Sequence, residues 1–262
     1  MAGQRIKNIR RLVNIVLILI KYGFGGIAGR MRIFPFVGVL TRIVFRDKGM
    51  DSLSVPKRIR LVLEDLGPTF VKLGQIASTR ADVLPPAWVE EFKKLQDKVT
   101  PVPFNEIRDA VEAALGAPIE NKFATFSETP VASASIAQVH LATLRNGAEV
   151  AVKVKRPGIG PVIASDMSVM HTLATLMERY VQGARMFKPL EVVSEFERVI
   201  TKEQDLSIEG SNMERFSSIF EGNSDVQIPK VFWDYSTPDI LTMERIYGTP
   251  IDEVEALQSK GV

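Results

Sequence analysis

The sequence predicts an α+β fold: a helical N-terminal extension leads into an antiparallel sheet with a long helix beside it. Three observations predict this. Between residues 55 and 116 apolar side chains recur at helical spacing, as in Ile59, Val62, Leu63, Leu66, Phe70, Leu73 and Ile76. From residue 117 the period shifts, and Val131–Leu144 and Ala148–Lys155 settle into alternation on either side of Asn146-Gly147, a hairpin-turn pair. A helical stretch then begins at Pro189 and is followed by two more strand-like runs, Val226–Asp234 and Pro238–Glu244.

Residues 1–54 form a basic leader. The first 60 residues hold 13 Lys/Arg against two acids, Asp47 and Asp51, whereas the net charge of the 262-residue chain is only +2. A basic leader on an acidic body points to an anionic partner. The uncharged run Leu12–Ile20 has nine residues, short of the roughly 20 that span a bilayer. No small-residue cleavage site follows it, which argues against a signal peptide. A second apolar patch, Ile33–Leu40, is again flanked by arginines. Two readings fit: the leader lies on an anionic membrane surface, or it is an amphipathic helix docked on its own protein or on a partner. Nucleic acid is not the expected partner, because almost no aromatic residues interleave the basic ones to stack bases. The absence of cysteine excludes disulfides and thiolate chemistry, and two histidines, His140 and His171, do not make a multi-histidine metal site.

Residues 55–116 are the helical extension. Pro68 is expected to start a new helix or kink the first. Gly74 inside a helix costs about 1 kcal/mol against alanine, so close packing is expected there. Lys72 and Gln75 are three apart and share a face; on spacing alone they are a surface pair. Further helices are expected at Ala87–Lys98 and Phe104–Leu115.

Residues 117–248 are the sheet-bearing domain. Phe123–Ser127 reads as a strand, and the small residues Ala132-Ser133-Ala134-Ser135 form a loop ahead of the hairpin. His140 is expected to face outward. Lys153 sits among valines near the end of its strand, either as an edge-strand lysine snorkelling to water or as a lysine reaching phosphate oxygens, as in the V-A-I-K strand of protein kinases. Val162–Tyr180 reads as a helix, and a second is expected from Pro189 to about Phe220. Its apolar stripe, Val192, Val193, Phe196, Val199 and Ile200, continues onto Glu203 and Leu206. A carboxylate on an apolar face needs a partner, and Lys153 is the expected one. Asp205 and Glu209 follow, as a cation-holding cluster, a contact for Lys72, or a solvated acidic turn. A last helix is expected near Pro250.

The strand, hairpin, helix, two-strand order resembles the small lobe of a protein kinase, an antiparallel sheet plus an αC-type helix, with Met243–Gly248 as the interlobe hinge. More specifically, residues 55–262 resemble the UbiB (ADCK-type, ABC1) atypical kinase-like family. Lys72-Leu73-Gly74-Gln75 is similar to its K-x-G-Q motif and Ala132–Ser135 to its alanine-rich loop. Val150–Lys153 and Glu203-x-Asp205 with Glu209 complete the set. The resemblance implies ATP as cofactor, with Lys153 contacting its phosphates and Glu203 holding Lys153. It places nucleotide contacts at Ala132, Ser133, Ala134, Ser135, Val139, Ala151, Met243, Glu244 and Ile246. It makes Lys72, Gln75, Asp205 and Glu209 residues that occlude or regulate the substrate site. It further implies a role in ubiquinone biosynthesis on the cytoplasmic face of the inner membrane. The partners would be anionic lipids and an isoprenoid lipid or quinone-biosynthesis proteins. Ser133 stands where the family often has alanine and Ala137 where it often has glycine, which leaves nucleotide preference open. Neither H-x-D nor D-F-G occurs in the sequence. Residues 249–262 are thus expected to be the start of a truncated large lobe, with the Mg²⁺ ligands expected downstream and no metal site here. The chain is read as part of a longer enzyme or, alternatively, as a catalytically incompetent membrane-associated scaffold or lipid-binding protein.

Overall fold

The computed structural model describes residues 2–25, 53–95, 100–251, 253–259 and 261. The second apolar patch of the leader, Ile33–Leu40, lies outside them. In chain order the elements are α1 (Ala2–Lys21), α2 (Val55–Leu66), α3 (Pro68–Ser78), α4 (Pro86–Phe92), α5 (Phe104–Leu115) and α6 (Ile119–Lys122). Then follow β1 (Phe123–Phe126), β2 (Ala132–Ser133), β3 (Ala137–Leu144), β4 (Glu149–Lys155), α7 (Ile159–Tyr180), α8 (Pro189–Glu203), α9 (Leu206–Ile219), β5 (Ile240–Glu244) and α10 (Val254–Ser259). They form two compact units. One comprises residues 1–101, 133–137 and 156–204; the other comprises 102–132, 138–155 and 205–262.

The first unit is helical. α2, α3 and α4 pack on one another, and α3 also meets α7 and α8. Its core joins Leu63, Phe70, Phe92 and Leu95 to Ile163, Met167, Phe196 and Ile200. Pro68 does open a new helix, α3. The expected close packing at Gly74 is present: a Cβ there would stand 2.2 Å from Leu95 Cδ1 and 2.8 Å from Leu63 Cδ1. α4 ends at Phe92, earlier than expected. The leader helix α1 lies against α7 and α2. Ile15, Val16 and Ile20 are buried, and the face left to solvent carries Ile9, Arg10, Val13 and Asn14. Among the described residues, the apolar stripe of α1 is therefore packed within its own unit, and the exposed residues lie on the opposite face.

The single helix expected from Pro189 to Phe220 is two helices. Asp205 leaves the helical region, with φ −105° and ψ 98°, and its carboxylate accepts the Ser207 N–H at 3.0 Å as the N-cap of α9. Asp, Asn, Ser and Thr favour this position because the first N–H groups of a helix have no partner within it. α8 belongs to the first unit and α9 to the second.

The second unit holds the sheet, in the order β1-β3-β4-β5, with β2 pairing off β3. One face packs on α5, where Ile107 and Val111 meet Val150, Val152, Val154 and Ile240. The other face packs on α9, where Leu206 and Met213 meet Leu241 and Met243. β4 and β5 run antiparallel with Lys153 opposite Leu241 and Ala151 opposite Met243, so these four side chains share the α9 face. The expected strand Val226–Asp234 shrinks to one bridge, Val231 to Met243, made by the bonds from Phe232 N to Thr242 O at 2.9 Å and from Glu244 N to Lys230 O at 2.8 Å. The chain then turns through Trp233–Tyr235, because buried Thr242 spends its hydroxyl on Tyr235 O at 2.7 Å and draws that segment off the strand path.

His140 is fully buried rather than outward-facing. Its Nδ1 donates to Ser127 O at 2.8 Å, so the neutral ring offers Nε2 as acceptor to Gln138 Nε2 at 2.9 Å. Gln138 Oε1 in turn accepts the Val102 N–H at 2.9 Å. Burial pushes the His140 pKa down, with the bond to Ser127 opposing it. A depressed folded pKa gives stability that is present above the ordinary histidine value and lost as pH falls toward the folded one. Between about pH 7 and pH 5 the urea midpoint of the wild type should fall more steeply than that of His140→Asn. The excess slope should approach 1.4 kcal/mol per pH unit at most. Parallel profiles would show that His140 does not drive the acid loss.

Candidate functional site

Lys153 lies on β4, on the face covered by α9. Its ammonium donates to both carboxylate oxygens of Glu209, at 2.9 and 2.7 Å. Glu209 stands in the first turn of α9, where an acid also suits the helix dipole. Both side chains keep part of their surface, 27% for Lys153 and 43% for Glu209. A pair this open contributes at most about 1 kcal/mol to stability. Its value is geometric: the ammonium is aimed and kept reachable from solvent.

The expected Lys153–Glu203 pair is not formed. Glu203 ends α8 in the other unit and pairs with Lys72 of α3 at 3.0 Å. The break at Asp205 explains the exchange. It ends the helix whose stripe pointed to Glu203 and starts a new one whose phase brings Glu209 to the sheet. Asp205 itself is taken up by capping, and Gln75 donates to Leu95 O at 3.2 Å, which ties α3 to the end of the segment after α4. Among the described residues, no group of three or more acidic or histidine side chains is placed to hold a metal ion.

The small-residue loop is held from beneath by a residue that sequence reasoning missed. Arg156, immediately after β4, is 9% exposed. Its Nε donates to Ala134 O at 2.8 Å, its Nη2 to Ser133 Oγ at 2.7 Å and its Nη1 to Thr100 O at 3.0 Å. Its own N–H donates to Ile136 O at 2.8 Å. The only sequence signal was an arginine just before Pro157-Gly158. Burial pushes the Arg156 pKa down, but a guanidinium stays charged at that depth.

At the far end of β5, Met243 lies opposite Ala151, and Glu244 N donates to Lys230 O at 2.8 Å. Arg245 N donates to Glu149 O at 3.2 Å, and Tyr247 Oη donates to the Glu149 carboxylate at 2.7 Å. Residues 244–247 are thereby fastened to the start of β4, while Ile246 is 40% exposed. Val139 of β3 and Ala151 of β4 are half-buried, and Ala132 is exposed at the loop's start.

A model of the ABC1 atypical kinase-like domain matches residues 94–262. The chain is 41% identical over 261 residues to a "Probable protein kinase UbiB" of Pseudomonas aeruginosa, covering 98% of the chain and 49% of that protein. It is 48% identical over 211 residues to a protein of the same description from Marinobacter nauticus, covering 80% of the chain and 39% of that protein. The chain thus spans about half the length, or less, of the curated relatives it matches. Among solved structures it is similar to Rv3197 of Mycobacterium tuberculosis, determined in complex with erythromycin. That match has a TM-score of 0.51 and 30% identity, and covers 74% of this chain and 48% of that one.

Proposed function

Because the chain belongs to the ABC1 atypical kinase-like family, we propose that it is the ATP-binding portion of a UbiB-type protein that supports isoprenoid quinone biosynthesis at a membrane surface. The observation that carries this reading is Lys153, aimed by Glu209 and still partly open to solvent. A lysine so placed donates to phosphate oxygens in phosphoryl-transfer enzymes. Glu209, not Glu203, takes the role of its orienting partner. Ala132, Ser133, Ala134 and Ser135 serve as the phosphate loop, and Val139, Ala151, Met243, Glu244 and Ile246 border the base. ATP, when bound, supplies the phosphoryl group; the residues of this chain bind and orient it. Lys72, Gln75 and Glu203 have a regulatory role through α3 and α8, and Asp205 has one through the start of α9.

Attachment to the membrane is assigned to the basic leader. No helix among the described residues is long and apolar enough to cross a membrane. The free face of α1, with Ile9, Arg10 and Val13, supports a peripheral contact with anionic lipid on the inner membrane.

Titration of the chain with MgATP tests the nucleotide reading. Lys153→Ala should weaken binding by about 10- to 100-fold, the value of one or two charge-assisted hydrogen bonds, with little change in the urea midpoint. Absence of binding by the wild type, or equal affinity of the two proteins, defeats it.

A further inference from the structure

We propose that Arg156 is a positioning residue that turns the backbone of the Ser133–Ala137 loop so that its N–H groups, not its carbonyls, are presented to nucleotide phosphate. The proposal rests on the ATP reading above and deepens it.

The contacts that carry it lie within one unit. Arg156 draws two loop carbonyls toward itself, Ala134 O through Nε at 2.8 Å and Ile136 O through its own N–H at 2.8 Å. Across a trans peptide the C=O and the next N–H point in opposite directions, and no cis peptide is present among the described residues. Fixing Ala134 O and Ile136 O on Arg156 therefore directs the N–H groups of Ser135 and Ala137 the other way. Neighbouring N–H groups of a small-residue loop make a concavity for an anion, and Ser135 and Ala137 hold theirs inside the fold, each only 3% exposed. Carbonyls turned outward would repel one. The remaining contacts stop the loop from flipping. Ser133 Oγ accepts from Nη2 at 2.7 Å, Ala134 N donates to Ala137 O at 2.9 Å, and Ile136 is buried in the core with Ile159 and Ile163.

This arrangement needs a guanidinium. Arg156 serves Ala134 O, Ser133 Oγ and Thr100 O with three different nitrogens, a fork that a lysine ammonium cannot reproduce. The loop carries serine and alanine where φ-tolerant glycine would let either peptide face turn outward. Arg156 supplies the bias that selects one face.

The test compares wild type, Ser133→Ala, Arg156→Lys and Arg156→Met in the full 262-residue chain. Each is measured for MgATP affinity by calorimetry, for urea midpoint, and for amide hydrogen exchange at Ser135 and Ala137. Ser133→Ala removes one bond without burying a charge, so it is the variant expected to keep its midpoint. Its ATP affinity should fall about 3- to 10-fold and exchange at the two amides should change, both without global destabilisation. Arg156→Lys should fall further, and Arg156→Met by about 10- to 100-fold. If Arg156→Met does not fold, Ser133→Ala and Arg156→Lys decide. Wild-type affinity and unchanged loop exchange in both of those variants overturn the proposal while leaving the ATP reading intact. Absence of MgATP binding by the wild type overturns the ATP reading and this proposal with it.

Discussion

Replacing Arg11 by alanine is expected to lower the unfolding free energy of the helical unit by about 3–5 kcal/mol. Arg11 donates to both oxygens of Asp166, at 2.5 and 3.1 Å, and to Leu66 O at 2.6 Å. The Asp166 side chain is only 1% exposed. Without Arg11 its carboxylate is left in the core between α1 and α7 with its main counter-charge gone, and the Leu66 carbonyl at the end of α2 loses a donor. The pair itself is worth much less than its rupture costs, because both ions were desolvated to form it. The 22% exposure of Arg11 admits some water to the gap and favours the lower end of the range. A double variant, Arg11→Met with Asp166→Asn, should recover more than half of the loss, since no charge then remains buried. Urea unfolding of the three proteins checks this. A loss under 1 kcal/mol in Arg11→Ala would mean that α1 is not docked on α7 in solution, and its apolar face would be available to a membrane after all.

Much of the architecture was legible because the responsible physics is local. Alternation around Asn146-Gly147 gave the β3–β4 hairpin, and Pro68 gave the start of α3, since each depends on residues within a few positions. The failures came where a distant partner overrode a local pattern. His140 alternates as an outward residue would, yet Ser127 O and Gln138 give both its ring nitrogens a partner, which makes burial of the neutral ring affordable. Val226–Asp234 reads as a strand, but Thr242 and Ser236 turn the chain away after Val231.

The partner of Lys153 shows how one boundary propagates. The apolar stripe of α8 does reach Glu203 when continued, but only if the helix runs through Asp205. Asp205-Leu206-Ser207 was a readable N-cap signal. Reading it would have ended α8 at Glu203, restarted the phase at Leu206, and put Glu209 one turn inside a new helix. The Lys72 alternative for the acidic cluster then applies to Glu203 alone. Arg156 was hidden for a different reason: its role depends on carbonyls, which no side-chain pattern records.

Gly210→Leu is expected to destabilise the sheet unit by about 3 kcal/mol and to take nucleotide affinity with it. Gly210 follows Glu209 on α9, where the helix passes close to the sheet. A Cβ there would lie 2.9 Å from Trp233 Cη2 and 3.0 Å from Leu241 Cδ1. Neither neighbour has room for a leucine, although the Trp233 ring, 38% exposed, can shift by a few tenths of an ångström. Leu241 is fully buried beneath α9, and Trp233 Nε1 is tied to Glu214 of the same helix at 2.5 Å. A leucine can be admitted only if α9 lifts, and a shift of 1 Å carries the Glu209 carboxylate out of hydrogen-bond range of Lys153, now at 2.7 and 2.9 Å. Gly210→Ala separates the two consequences. Its helix-propensity gain of about 1 kcal/mol offsets most of a few tenths of an ångström of crowding, so its urea midpoint should stay near that of wild type. Its MgATP affinity should fall only slightly. Gly210→Leu should lose both stability and at least tenfold in affinity, and adding Glu209→Gln to it should cost little more affinity, because the contact is already broken. Full MgATP affinity in a folded Gly210→Leu variant would show that the seat of α9 on the sheet does not set the position of Lys153.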